Sequence, residues 1–222
     1  MQQHQYNNMK ALIVYSGGMD STVLLHEYKE QIKLAVSFNY GSKHAAQELE
    51  KAQINCEKLN IRHLVVDLPF INKLFRSSLL QGQEEIPEGG YNAENMSSTI
   101  VPFRNGIMLS IAAGIAESNG LDTLLIANHS GDHFIYPDCR ESFIDAMNDA
   151  IRQGTEKEVA LLSPYCDLSK RDIALRGHKF GIDFSNTYSC YKGCETHCGK
   201  CATCMERKEA LAGFDPTLYE NK

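Results

Sequence analysis

Residues 10–22 read KALIVYSGGMDST. The first half, residues 10–15, is a short apolar run with two β-branched residues, the signature of a strand buried on both faces. The second half carries adjacent glycines and three hydroxyl residues, and a helical pattern follows over about residues 20–30. Strand, glycine turn and helix start in that order converge backbone N–H groups and the positive end of a helix dipole on one point, which makes an anion site. Gly17 and Gly18 permit positive φ and a close backbone approach. Ser16, Ser21 and Thr22 supply hydroxyl donors. Asp20 would repel a bare phosphate, so it reads as a ligand for Mg²⁺ carried by a nucleotide. The stretch lacks both the G-x-x-x-x-G-K-[ST] of a Walker loop and the G-x-G-x-x-G of a dinucleotide loop.

Outward from this loop, further strands are expected over residues 33–39, 63–68 and 123–128, with helices over about 43–60 and 103–119. Apolar strands alternating with helices predict a parallel sheet covered on both faces, an α/β, Rossmann-like fold with ligands beyond the carboxyl ends of the strands. Residues 105–117 are apolar nearly all round and predict a buried helix, with Pro102 in its first turn and Arg104 and Asn105 at its buried start. Residues 76–99 and 128–140 read as long polar loops, which in a compact domain are usually functional. Residues 1–8 read as a disordered extension, with Met9 as the natural start.

Composition narrows the function classes. The 222 residues are 43% hydrophobic and 23% charged, ordinary for one globular domain with a small appendage, and they exclude a disordered chain. A formal net charge of −6 disfavours tight binding to a nucleic-acid backbone. No run approaches the roughly 18 apolar residues of a membrane span, and no signal peptide precedes residue 9, so a cytoplasmic location is expected. Of eight cysteines, five (Cys190, Cys194, Cys198, Cys201 and Cys204) share one window. In a reducing compartment this favours a metal over disulfides. Cys198, Cys201 and Cys204 form C-x2-C-x2-C, whose spacing turns successive thiolates onto one cation. Cys190 and Cys194 compete for the fourth position, with His197 behind them. Zinc is the expected ion and an iron–sulfur cluster its rival.

The S-G-G-x-D-S string in its strand–loop–helix setting is similar to the pyrophosphate loop of the N-type ATP pyrophosphatases. Over nearly the whole chain from Met9, the sequence further resembles the 7-cyano-7-deazaguanine synthase family of queuosine biosynthesis. The carrying strings are YSGGMDST (15–22), FNYG (38–41), VPFRN (101–105), YPDCR (136–140), SCY (189–191) and CGKCATC (198–204). The resemblance implies an ATP-dependent carbon–nitrogen ligase. Its substrates would be 7-carboxy-7-deazaguanine, ammonium and ATP, with Mg²⁺ and one structural Zn²⁺ per subunit. A carboxylate and then an amide would be adenylated in turn, the products being a nitrile, AMP and pyrophosphate. The nucleotide segment would comprise Tyr15, Ser16, Gly17, Gly18, Met19, Asp20, Ser21, Thr22, Val23, Leu24 and Leu25. Zinc would be held by Cys190, Cys198, Cys201 and Cys204, leaving Cys194 as an extra thiol.

Catalytic roles would fall to Asp20, Arg104, Lys170 and Asp132. Lys170 resembles a second phosphate-contacting lysine. Arg104 would neutralise phosphate or bind the heterocycle. Asp132 and Asp138 would flank a loop reading the guanine-like N1–H and amino edge, where a carboxylate is the natural acceptor. His129 and His133 are candidate proton shuttles, and Tyr40 either stacks on a base or packs in the core. The resemblance also implies a homodimer, with a pyrophosphatase domain over residues 9–185 and a zinc-binding segment over 186–222 packed on it. Phe134 and Ile135 depart from the small residues expected there. Rival readings are an enzyme that stops at the amide, a tRNA-thiolating enzyme, and a zinc-ribbon module that binds nucleic acid.

Overall fold

The computed structural model describes residues 9–90, 92 and 96–220, and the extension expected at 1–8 lies outside them. The chain runs β1 (Ala11–Val14), α1 (Met19–Glu27), β2 (Ile32–Asn39), α2 (Ala45–Lys58), β3 (Arg62–Asp67) and α3 (Pro69–Leu74). It continues with α4 (Arg104–Ser118), β4 (Thr123–Leu125), α5 (Glu141–Gly154), β5 (Ala160–Leu162), α6 (Lys170–Lys179) and α7 (Ala202–Ala210). Short 3₁₀ turns occupy Ser130–Phe134 and Pro137–Cys139, inside the second polar loop.

All five strands pair in parallel, in the order β3-β2-β1-β4-β5. The alternation of β1 explains why the sheet is covered twice. Ala11 and Ile13 enter one core cluster, with Val23, Leu24 and Leu25 of α1 and Ile173 of α6. Leu12 enters the opposite cluster, with Leu109 and Ala112 of α4 and Ile144 of α5. Leu12 and Ile13 are both fully buried, so truncating either to Ala would cost about 2–5 kcal/mol.

From β1 the chain winds outward through β2 to β3, then crosses back to place β4 on the other side of β1. The order therefore reverses between β1 and β4, and a crevice opens beyond their carboxyl ends. The glycine loop follows β1 and the polar loop at 128–140 follows β4, so the reversal sets the two loops side by side.

Three expectations need correction. Pro102 precedes the buried helix rather than starting it, because Phe103 intervenes with φ +52°. That turn folds the Phe103 ring over Gly106, where any Cβ would lie 2.4 Å from it. Strand β5 and helices α3, α5 and α7 had no counterpart among the expected elements; β5, at three residues, is too short to carry a periodic pattern. Finally, Ser97–Ser118 is long and apolar enough to cross a bilayer by length and composition, yet half of its most apolar window is buried inside the fold.

Candidate active site

The glycine loop is shaped by a helix as much as by any ligand. Gly17 has φ +82°, and a Cβ there would sit 2.2 Å from the Glu48 carbonyl oxygen and 2.9 Å from the Ala52 nitrogen. Only glycine lets the loop lie directly on the α2 backbone. Gly18 then N-caps α1 with no side-chain cap, leaving the first N–H groups of that helix for an anion. Ser16 Oγ accepts from the Gly18 N–H at 3.1 Å and shares a 3.0 Å hydrogen bond with Ser21 Oγ.

Tyr15, Ser16, Gly18, Met19, Asp20 and Ser21 line a cavity of about 230 Å³ at the sheet reversal. The rest of the expected nucleotide segment turns inward. Thr22 is fully buried and shares a 3.0 Å hydrogen bond with the Tyr15 hydroxyl, while Val23, Leu24 and Leu25 are fully buried in the core. A helix presents only part of its circumference to a ligand, and those residues fall on the face that covers the sheet.

One end of the cavity is a network of paired charges. Ser169 N-caps α6 and, through a reciprocal capping box with Asp172, fixes Lys170 at the helix start. The Lys170 ammonium lies 3.2 Å from Asp20 Oδ2, 2.9 Å from Glu206 Oε2 and 3.5 Å from His129 Nε2. Burial would lower its pKa, but Asp20, Glu206 and Asp132 together hold the ammonium well above the usual lysine range. The other carboxylate oxygen of Asp20, Oδ1, is buried without a hydrogen-bond partner. A buried acceptor of that kind, beside a glycine loop, suits a hard divalent cation such as Mg²⁺. Glu206 was not foreseen; its one sequence signal is its place two residues after Cys204.

The loop after β4 divides the remaining expectations. His129 is buried and faces this network, with Nε2 3.6 Å from Asp132 Oδ2 and Nδ1 accepting the Gly131 N–H at 3.1 Å. Asp132 lines the cavity, yet its carboxylate also closes the capping box of its own turn. Asp138 is not aimed at a ligand, because its Oδ2 accepts the Asn105 N–H at 2.8 Å and so anchors the start of α4. His133 approaches Cys166 at 3.5 Å, away from the Lys170 network. Phe134 is 85% exposed, whereas Ile135 is buried.

The other end of the cavity is aromatic, and its charged groups are less engaged. Arg104 donates from Nη1 to the Tyr40 hydroxyl at 3.1 Å and lies 5.7 Å from that ring's centroid. Burial would lower its pKa, but Tyr40 and Asp138 raise it well above the ordinary value. Among the described residues no carboxylate lies within ion-pair distance of its guanidinium. His44 stacks on Tyr191 at 5.4 Å, and the Tyr191 and Tyr136 hydroxyls share a 3.2 Å hydrogen bond. His44 Nε2 is 3.7 Å from Glu48 Oε2. Burial pushes His44 down to about 4 and Glu48 up to about 8, the latter partly opposed by Arg104. Neither residue was singled out in the sequence, since a lone His and Glu on an early helix turn carry no local signal.

The C-terminal segment walls the cavity through Tyr188, Ser189, Tyr191 and Thr203. It carries the sulfur cluster: the Sγ atoms of Cys190, Cys198, Cys201 and Cys204 lie within 4.8 Å of one another and all four residues are buried. A tetrahedral zinc site with Zn–S near 2.3 Å needs sulfurs about 3.8 Å apart, so the group fits one ion. Backbone N–H groups of Cys201 and Lys200 point at Cys198 Sγ at 3.3 and 3.5 Å, as thiolate ligands favour. Cys194 lies outside the group, and its carbonyl accepts the Tyr188 hydroxyl. His197 is likewise outside it and accepts the Ser189 N–H at 3.1 Å.

The family model described as "Queuosine biosynthesis protein QueC" matches residues 10–215. A 7-cyano-7-deazaguanine synthase of Porphyromonas gingivalis is 57% identical over 213 residues, covering 95% of this chain and 97% of that protein. Another, from Desulfotalea psychrophila, is 53% identical, covering 94% of this chain and 98% of that protein. Among solved structures, the tRNA thiolase NcsA of Methanococcus maripaludis, described with its [4Fe-4S] cluster, superposes with a TM-score of 0.52 at 17% identity. It covers 95% of this chain and 67% of its own. The NMN synthetase of Francisella tularensis does so with a TM-score of 0.50 at 13% identity, covering 86% and 71%. These two likenesses carry the fold alone.

Proposed function

Since the chain belongs to the QueC family of queuosine biosynthesis proteins, we propose that it converts 7-carboxy-7-deazaguanine and ammonia to 7-cyano-7-deazaguanine at the expense of ATP. The observation that carries the reading is one cavity with two kinds of end, a glycine loop with a buried Asp20–Lys170 pair and an arginine framed by aromatic rings. The first suits a metal-bound triphosphate and the second a planar anion.

The chemistry follows from what each group offers. The uncapped start of α1 and the Ser16 and Ser21 hydroxyls bind the β- and γ-phosphates, and Lys170 neutralises charge that grows on departing pyrophosphate. Asp20 would hold Mg²⁺, which would supply charge neutralisation on the triphosphate. A carboxylate resists ammonia because oxide is a poor leaving group; transfer of AMP to its oxygen, with loss of pyrophosphate, corrects this. Ammonia then displaces AMP and leaves the amide after losing a proton. Adenylation of the amide oxygen by a second ATP releases a second pyrophosphate, and departure of AMP with loss of both protons from the nitrogen gives the nitrile. His129, with Nδ1 occupied by the Gly131 N–H and Nε2 facing Asp132 and Lys170, helps to position those two groups. Arg104 orients the carboxylate by a charge-assisted hydrogen bond.

The cysteine cluster would hold zinc in a structural role. Four thiolates would fill a tetrahedral ion and leave no position open for chemistry, and the four sulfurs are near enough for a single ion. Ammonium, ATP and the deazaguanine are then the partners. The net charge of −6 argues against direct nucleic-acid binding, and a thiolate cluster suits the reducing cytoplasm. A homodimer built on the exposed apolar edge at Val65, Phe70 and Leu74 fits this reading.

Mass spectrometry of a reaction with 7-carboxy-7-deazaguanine, ATP, Mg²⁺ and ammonium tests the proposal. Nitrile with AMP and pyrophosphate is the expected result. Amide alone would identify an enzyme that stops halfway. No deazaguanine-dependent AMP from folded, zinc-replete protein would overturn the reading.

A further inference from the structure

Two charge-bearing side chains face the aromatic end of the cavity with spare hydrogen-bonding capacity. Among the described residues Arg104 makes one hydrogen bond, to a tyrosine hydroxyl, for five donors. Glu48, on the first turn of α2, has a histidine 3.7 Å away as its sole ion-pair neighbour among the described residues. His44 is neutral near pH 7, because burial takes it down to about 4. Among the described residues the Glu48 carboxyl therefore has no cation in contact, and Gly17 fixes its helix by direct backbone packing against the nucleotide loop. Tyr40, His44 and Tyr191 supply flat surfaces around the same space.

We infer that Glu48 is a specificity residue of the heterocycle subsite, its carboxylate accepting the ring N–H and exocyclic amino group of a guanine-like substrate whose carboxylate pairs with Arg104. The inference rests on the substrate class proposed above. Complementarity carries it: a donor with spare N–H groups and an acceptor with spare lone pairs line one cavity, and such a substrate offers an anionic carboxylate on one side and N–H donors on another. Of the two carboxylates expected at this edge, Asp132 is engaged with its own turn and with His129, and Asp138 anchors the start of α4. The raised Glu48 pKa agrees, since burial without hydrogen-bond donors disfavours the charged form and N–H donors from a ligand restore it.

The test compares 7-carboxy-7-deazaguanine with its analogue lacking the exocyclic amino group, by kcat/KM, in the wild-type enzyme and in Glu48→Gln and Glu48→Asp. The wild-type enzyme is expected to favour the parent by at least about 100-fold, because a buried acceptor left unpaired is penalised. Glu48→Gln presents an amide donor to the amino group, so it should lose at least tenfold of that preference, chiefly through KM for the parent. Glu48→Asp should keep most of it. Thermal unfolding matched to wild type verifies that each variant folds. A folded Glu48→Gln that keeps the full preference, or that raises KM for ammonium alone, would overturn the inference. If the wild-type enzyme forms no AMP with the parent compound, the proposed substrate fails instead, so the two failures are distinguishable.

Discussion

The two ends of the cavity differ in how far their charges are already satisfied. At the nucleotide end Lys170 bridges Asp20 and Glu206, and His129 and Asp132 close the ring around it. At the aromatic end Arg104 and Glu48 stand among rings and, among the described residues, without salt bridges to a cation or carboxylate. Burying unpaired charge is costly, so an end built without partners implies that a ligand brings them. The paired end is assembled before ligand arrives, which suits a triphosphate whose metal and anionic oxygens exchange for contacts already present. The contrast separates groups that handle the shared phosphate chemistry from groups that choose the substrate.

The largest expected effect strikes both ends together. Cys190 immediately precedes Tyr191 of the aromatic end, and Cys204 shares helix α7 with Glu206 of the paired end. Removing the metal by chelation, or replacing Cys198 with Ala, should cost several kcal/mol of stability and abolish activity, read by unfolding curves alongside metal content. Retention of both Tm and activity in metal-free protein would detach the cluster from the site.

Next come variants confined to the paired end. Asp20→Asn should lower kcat/KM about 10³-fold, and Lys170→Met about 10²-fold, for both the parent substrate and its desamino analogue. Equal losses on the two substrates are the point, because phosphate chemistry is common to them. A loss that differs between substrates would blur the two ends.

Stability against pH probes the aromatic end. Folding holds Glu48 at about 8 against an ordinary 4.5, so the unfolded chain releases that proton first. The contribution from Glu48 is therefore full below about 4.5 and is lost as pH rises through 8. His44, lowered from 6.5 to about 4, runs the other way: its contribution is full above 6.5 and is lost as pH falls toward 4. The two slopes oppose each other between 4.5 and 6.5, leaving Glu48 alone from 6.5 to 8. Unfolding free energy should fall by about 1–2 kcal/mol across that upper window, and Glu48→Gln should remove the fall. The smallest effect is expected at Tyr15→Phe. Loss of the buried hydrogen bond to Thr22 should cost about 1 kcal/mol, or roughly 2–4 °C in Tm, with little change in substrate preference.

What the chain determined by itself lies in short spacings. The glycine loop and its Asp20 are read from residues 15–22, because strand, turn and helix start are neighbours in sequence and the N–H groups that bind an anion belong to that same turn. C-x2-C-x2-C is local in the same way, and the long apolar run at 105–117 marks a helix, which the structure buries on part of its circumference and leaves exposed at Ser110 and Gly114. Selecting Cys190 over Cys194 took the resemblance first and the geometry of the sulfurs afterwards.

Tertiary structure decided everything that depends on strand order and helix face. Asp20, His129 and Glu206 come from three separate segments, and only the reversal between β1 and β4, with α6 and α7 packed beside it, brings them within about one hydrogen-bond length of the Lys170 ammonium, which a fourth segment supplies. The same packing turned Val23, Leu24 and Leu25 into core and Asp138 into a helix anchor. It also brought Glu48 and Arg104 to the lining of one cavity, Gly17 admitting the α2 backbone to contact distance. Local spacing encodes which groups can bind an anion or a metal; the sheet and its helices fix which of those groups share one cavity.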